Sequence, residues 1–160
     1  MIILTKTNAM RILDSAKIPY EPILYEVDEN DLSGVHIAEK TNLCPDIVFK
    51  TLVAKGDKSG LVVFCIPCAT ELDLKKCAKV SGDKRVELLP VKDLLANTGY
   101  IRGGCSPVGM KKSYPTYFDE TALLWDKITV SAGVRGCQLM LEAQALIKLI
   151  GAKTADLTAI

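Results

Sequence analysis

Two apolar runs, 47–54 and 61–66, flank the polar hexapeptide Lys55-Gly56-Asp57-Lys58-Ser59-Gly60. Runs of this length, rich in Val, Ile and Phe and joined by a short glycine-bearing loop, fold as an antiparallel β-hairpin. That unit constrains the rest of the chain. A doubly wound parallel sheet needs a helical crossover between successive strands, and a central hairpin breaks that rhythm, so a mixed-sheet α+β domain is predicted. The hairpin also carries an anomaly. Lys50 stands between Phe49 and Thr51-Leu52, inside the first apolar run.

Other elements read around this centre. Ala9, Ile12, Leu13 and Ala16 recur at i, i+3, i+4 and i+7, which predicts an amphipathic helix over 7–17 closed by Pro19. Further helices are predicted at 35–39 after Ser33-Gly34, over 72–80, at 91–96 after Pro90, and over 142–150 with Gly151 as the C-terminal cap. Strands are predicted at 23–27, where Pro22 marks a sheet edge, and at 116–118 and 127–131. The stretch 98–117 holds four glycines and two prolines but enough apolar residues to be ordered, so it reads as part of a site rather than a linker. A length of 160 residues supports one core, and a single domain over 1–160 is expected.

Charge and cysteine usage narrow the function. Twenty basic and 19 acidic residues leave a net charge of +1, without the global field of a duplex binder, so no DNA partner is expected. Lys75-Lys76, Lys79 and Lys84-Arg85, and separately Lys111-Lys112, read as solvated faces unless they surround a pocket. Met1-Ile2-Ile3-Leu4 runs straight into Thr5-Lys6-Thr7, too short for a signal core, and no later stretch has the length of a membrane span. A cytoplasmic protein with six reduced cysteines follows. Cys65-x-x-Cys68 lies at the end of a strand-like run instead of a helix start, and the lone His36 has no cysteine at helical spacing. These thiols read as small core hydrophobes, and neither a metal nor a cofactor is predicted. Dinucleotide, P-loop, zincin and serine-hydrolase motifs are missing from the sequence.

Several segments, in their order and spacing, resemble the YbaK/EbsC family of aminoacyl-tRNA deacylases, which is related to the editing domain of some prolyl-tRNA synthetases. They are Tyr25-Glu26, Phe49-Lys50-Thr51-Leu52, Leu72-Asp73-Leu74-Lys75-Lys76, Thr98-Gly99-Tyr100 running into Gly103-Gly104-Cys105-Ser106-Pro107, and Val130-Ser131 through Arg135-Gly136. The resemblance implies a mixed, largely antiparallel curved sheet flanked by helices, and hydrolysis of the ester linking a wrong amino acid to tRNA. It also implies action in trans on the tRNA acceptor end, with prolyl-tRNA synthetase as a candidate partner. The lysine central to the family maps onto Lys50.

Elementary chemistry agrees with that assignment. A lysine in an apolar strand either snorkels from an edge or points its ammonium into a pocket lined with acceptors, which an aminoacyl ester and its ribose supply. Gly103 and Gly104 either form a tight turn with Ser106-Pro107 or bring backbone N–H groups to a developing oxyanion. Thr51, Ser131 and Gly133 are expected to complete the substrate walls. Arg135 either contacts a phosphate or carboxylate or covers apolar surface. Tyr25 either hydrogen-bonds substrate or packs as a core aromatic, and Cys105 is expected to pack instead of attacking.

The attacking group is either a water or the thiol of a bound cysteinyl ester, an intramolecular route favoured by proximity. Two departures from the family bear on specificity. Ala132 is expected to narrow the pocket where glycine is usual, and Gln138 replaces an acidic residue. The leading expectation is a Cys-tRNA(Pro) deacylase. An Ala-tRNA(Pro) deacylase and a non-catalytic tRNA- or synthetase-binding module are the alternatives.

Overall fold

Side-chain capping sets most of the helix starts. In the computed structural model, which describes residues 5–159, the Thr7 hydroxyl accepts from the Met10 N–H and opens α1 (Asn8–Ser15). Met1–Leu4, read above as too short for an export signal, lie outside the described residues. The chain continues through β1 (Tyr20–Leu24), α2 (Gly34–Thr41), β2 (Phe49–Gly56), β3 (Gly60–Pro67), α3 (Leu74–Ser81), β4 (Val86–Leu88) and α4 (Leu94–Thr98). It ends with β5 (Thr116–Asp119), β6 (Lys127–Ser131), β7 (Cys137–Glu142), α5 (Ala143–Leu149) and β8 (Lys153–Ala155). Ser33 caps α2 and Asp73 caps α3 in the same way as Thr7, each side chain accepting from the first turn.

The hairpin forms as predicted. β2 and β3 pair antiparallel from Phe49↔Pro67 to Gly56↔Gly60, and positive φ at Gly60 lets the chain turn back. The fold is mixed α+β, but its strands divide into two sheets instead of one curved one. β1-β7-β6 is antiparallel, while β4-β2-β3-β5-β8 is antiparallel at one side and parallel at the other. Among the described residues, the bridge Val48↔Thr129 links the two sheets.

Two short-range expectations shift. The first strand starts at Tyr20 and runs through Pro22, which is tolerated because β1 is an edge strand with β7 as its one neighbour. The helix expected at 91–96 begins as a 3₁₀ turn, Val91–Asp93, before α4. β7 went unpredicted because it is the central strand of its sheet: Cys137, Gln138, Leu139 and Leu141 are all buried, so the polar alternation that marks a strand is missing.

The main core lies between the sheets and takes in α1 and α5, with Met10, Leu13, Ile128, Leu139, Leu141 and Leu146 essentially inaccessible. Phe49 reaches into it and stands against Phe118 with ring centroids 6.0 Å apart. The opposite face of the larger sheet packs Ala54, Val62, Phe64 and Ile66 against Cys77 and Ala78 of α3. A third cluster seats Ile37 and Ala38 of α2 on Val48 and Cys68. No described helix is long and apolar enough to cross a membrane.

Candidate active site

β2 is only partly covered along its outer edge. β4 pairs with it at Ala54, Lys55 and Gly56, and the Leu89 N–H adds a 2.9 Å bond to the Val53 carbonyl. At the other end the Val48↔Thr129 bridge joins β6. Between these ties the two sheets part, and a cleft of about 550 Å³ opens along Phe49–Val53. Its remaining walls come from the start of α2, from Cys68, from the segment 88–94, from the turn 102–105, and from Ser131 and Gln138.

Lys50 lines this cleft. Alternation puts it on the face of Leu52 and Ala54 instead of the face by which Phe49 and Val53 enter the main core. The side chain is half-buried, and none of the ion pairs among the described residues engages its ammonium. Burial pulls its pKa below the ordinary lysine value, with Cys68 and Glu71 only partly countering. A cation so placed is under-solvated and free to meet a ligand.

Of the other predicted residues, Thr51, Gly103 and Ser131 line the same cleft. The Thr51 hydroxyl also pairs with Cys65 Sγ at 3.7 Å. Ser131 is buried, and its hydroxyl accepts from the Gly133 N–H at 3.1 Å. Tyr25 and Arg135 line a small hollow beside the cleft, which shares Leu32, Ile37 and Gly103 with it. Arg135 Nε donates to the Arg102 carbonyl, so Arg135 braces the glycine turn, and Arg102 is the arginine that lines the cleft.

Gly104, Ser106, Pro107 and Gly133 serve the turns instead of the wall. The Gly104 N–H, one of the two candidate oxyanion donors, is used within its own turn on the Ile101 carbonyl at 2.9 Å, as the tight-turn alternative has it. Ser106 is inaccessible and accepts from the Val108 N–H at 3.2 Å, and Pro107 is buried beside it. Gly133 holds φ 97°, and a Cβ there would stand 2.9 Å from the Tyr100 ring. Ala132 does not narrow the pocket, because it is fully buried in the main core.

Five of the six thiols are buried or half-buried, whereas Cys44, expected with the others in the core, is exposed. Burial pushes Cys105 up to about 12 although it lines the cleft, which removes it as a nucleophile at neutral pH. Burial also raises Cys68, partly offset by Lys50. Among the described residues, no cluster of His, Cys, Asp and Glu could hold a metal ion. Lys76 of the first basic group is tied to Asp156 at 2.9 Å, and neither basic group lines the cleft.

Two features escaped the sequence reading. Arg102 directly precedes Gly103, and that adjacency was its signal. The start of α2 reaches the cleft because Gly34 allows it: a Cβ there would lie 2.4 Å from Cys68 Cβ. Gln138, singled out by its neutrality, is 3% exposed, and its Oε1 has no partner among the described residues. It faces Ser131 across the last pair of β6 and β7.

The chain is 50% identical over 153 residues, 96% of its length and 93% of the relative's, to EbsC of Enterococcus faecalis, provisionally named a Cys-tRNA(Pro)/Cys-tRNA(Cys) deacylase. Its fold matches the solved structure of a provisional trans-editing enzyme for prolyl-tRNA synthetase with a TM-score of 0.80 and 22% identity, over 98% of this chain and all of the other. A hypothetical protein, APE2540, matches with a TM-score of 0.84 and 19% identity over 93% of this chain and 97% of its own. Residues 34–149, which carry the β2 edge, the glycine turn and the β6–β7 pair, match the aminoacyl-tRNA editing domain, and this protein belongs to that family.

Proposed function

We propose that this protein is a trans-acting deacylase that cleaves the ester of mischarged tRNA, with Cys-tRNA(Pro) as its main substrate and Lys50 as the residue that orients it. The observation that carries the proposal is the half-buried Lys50, free of ion pairs among the described residues, in the wall of an open cleft. An ester carbonyl and ribose hydroxyls supply the acceptors it lacks. The relative's name, at 50% identity, supports the cysteinyl substrate. The whole chain acts as one editing domain, and a synthetase that releases the mischarged tRNA delivers the substrate.

Cleavage proceeds without a protein nucleophile. Cys105 stays protonated, and His36 forms part of the neighbouring hollow instead of the cleft. The substrate's own thiol attacks its ester carbonyl, forming a carbon–sulfur bond and a cyclic thioester. The bond to the ribose oxygen breaks, and that oxygen takes the thiol proton. Lys50 stabilises the negative charge that develops on the carbonyl oxygen. The Gln138 Oε1, without a partner among the described residues, accepts from the substrate's α-ammonium.

Purified protein and Lys50→Ala are assayed with Cys-tRNA(Pro), Ala-tRNA(Pro) and Pro-tRNA(Pro). Selective, Lys50-dependent loss of the cysteinyl ester is the expected result. Equal loss of the alanyl ester overturns the thiol route, and no loss of any ester overturns the deacylase reading. In ¹⁸O-water, attack by water puts the label into cysteine as the ester breaks. Attack by the thiol gives an unlabelled cyclic thioester first.

A further inference from the structure

Among the described residues, two cations and no carboxylate line the cleft. The cations are Lys50 and Arg102, and neither is in an ion pair among the described residues. The thiols bring no compensating anion, since burial raises both Cys68 and Cys105. Glu71 partly counters Lys50 from outside the lining, and it is exposed, where water weakens its field. A cleft lined by one sign of charge favours ligands of the other sign and opposes its own. The ester of a free amino acid carries an α-ammonium into that field.

The buried acceptor left open in this lining is neutral. Gln138 is 3% exposed, lies opposite Ser131 in the cleft wall, and its Oε1 has no partner among the described residues. One N–H satisfies such an acceptor. An amide N–H does so as an ammonium does, but without bringing a charge that no carboxylate here answers. At about 550 Å³ the cleft also has room for a small acyl group beyond the aminoacyl moiety.

We infer that the cleft takes N-acylated aminoacyl esters as a second substrate class, and cleaves N-acylcysteinyl-tRNA at least as efficiently as the free cysteinyl ester. This rests on the deacylase reading of the cleft. The amide N–H of the acylated substrate donates to Gln138 Oε1 in place of the ammonium. Chemistry at the ester is unchanged. The thiol sulfur bonds to the ester carbonyl carbon, the bond to the ribose oxygen breaks, that oxygen takes the thiol proton, and the N-acyl bond stays intact. Water then opens the cyclic thioester, its oxygen going to the carbonyl carbon and one proton to the sulfur, which leaves N-acylcysteine.

The test compares cleavage of Cys-tRNA(Pro) and of N-acetyl-Cys-tRNA(Pro) with a free thiol, corrected for spontaneous loss, by the unmodified protein and by Gln138→Glu. At neutral pH the unmodified protein is expected to give the N-acetyl ester a kcat/KM equal to or above that of the free ester. Gln138→Glu adds a carboxylate to the lining and is expected to shift the preference toward the free ester by about tenfold or more, the scale of a charge-assisted hydrogen bond over a neutral one. A second readout needs no variant and involves no thiol. Two unreactive amide-linked analogues, 3′-alanylamino-3′-deoxyadenosine and its N-acetyl derivative, are compared as inhibitors. The free-amine analogue is expected to gain about tenfold on its N-acetyl derivative between about pH 6 and pH 9, as its ammonium loses its proton. A protein that cleaves the free ester and spares the N-acetyl ester, or a ratio of inhibition constants unmoved by pH, overturns the inference and leaves the deacylase reading standing. Cleavage of neither ester defeats the deacylase reading and the inference with it.

Discussion

Arg135 Nε donates a 2.8 Å hydrogen bond to the main-chain carbonyl of Arg102, and so the turn after β6 carries the turn that presents Arg102 to the cleft. The approach depends on missing side chains. A Cβ on Gly103 would come 3.3 Å from Arg135 Nε, and one on Gly104 would come 3.0 Å from the Val134 carbonyl carbon. Gly104→Ala therefore forces backbone apart and is expected to cost about 1–3 kcal/mol. Arg135→Ala leaves the backbone packing intact but frees the Arg102 carbonyl, so KM for aminoacyl-tRNA rises while kcat changes little. Denaturant melts and steady-state kinetics separate the two effects.

Replacing the charge at Lys50 is expected to trade activity for stability. Lys50→Met removes a half-buried ammonium that makes no ion pair among the described residues, so the thermal midpoint rises. Deacylation falls by about 10²-fold or more, the scale of losing one charge-stabilising donor. A Lys50→Met protein that melts lower than its parent would show that the lysine holds the strand.

Lys50 also sets a pH dependence. Its folded-state pKa lies below the ordinary 10.5 because of burial, so on raising pH the folded chain releases this proton before the unfolded chain does. The unfolded state then binds more protons in the window that ends at 10.5, and stability rises with pH there. Activity is expected to move the opposite way, because in the proposed mechanism the charged form orients the ester. Rate profiles corrected for spontaneous hydrolysis and melts over the same pH range check both trends. Lys50→Met is expected to lose its share of the rise in stability.

Asp83 ties the hairpin turn to the end of α3. Its carboxylate accepts from the Lys58 and Ser59 N–H groups at 2.8 Å each and from the Ser81 hydroxyl at 2.6 Å. These hydrogen bonds, the Ser81 one foremost, hold its pKa at about 2, against an ordinary 3.8. The stabilisation is complete above 3.8 and is lost as pH falls toward about 2. Asp83→Asn is expected to lower the urea midpoint at neutral pH and to flatten this acid limb. Gly56→Ala is expected to be as damaging, because its Cβ would stand 2.2 Å from Asp83 Oδ2.

By itself the sequence determined the elements whose signal is local. The β2–β3 hairpin, α1 and β6 follow from alternation, helical period and turn glycines within about a dozen residues of each other. Lys50 was legible for the same reason, as a charge in an apolar strand, and the glycine-rich segments announced close approaches. What they approach was decided by tertiary structure. The separation into two sheets, the central position of β7, and the short strands β4 and β8 depend on pairing between residues far apart in the chain. Only that pairing leaves the β2 edge bare from Phe49 to Leu52. It also sends Ala132 into the core, hides Ser106 and Pro107 inside a turn, and lines the cleft with Arg102 while Arg135 braces the turn behind it. Periodicity encodes which face of an element is buried, whereas the partner that buries it is chosen by long-range packing, and a cleft is the place where such packing stops.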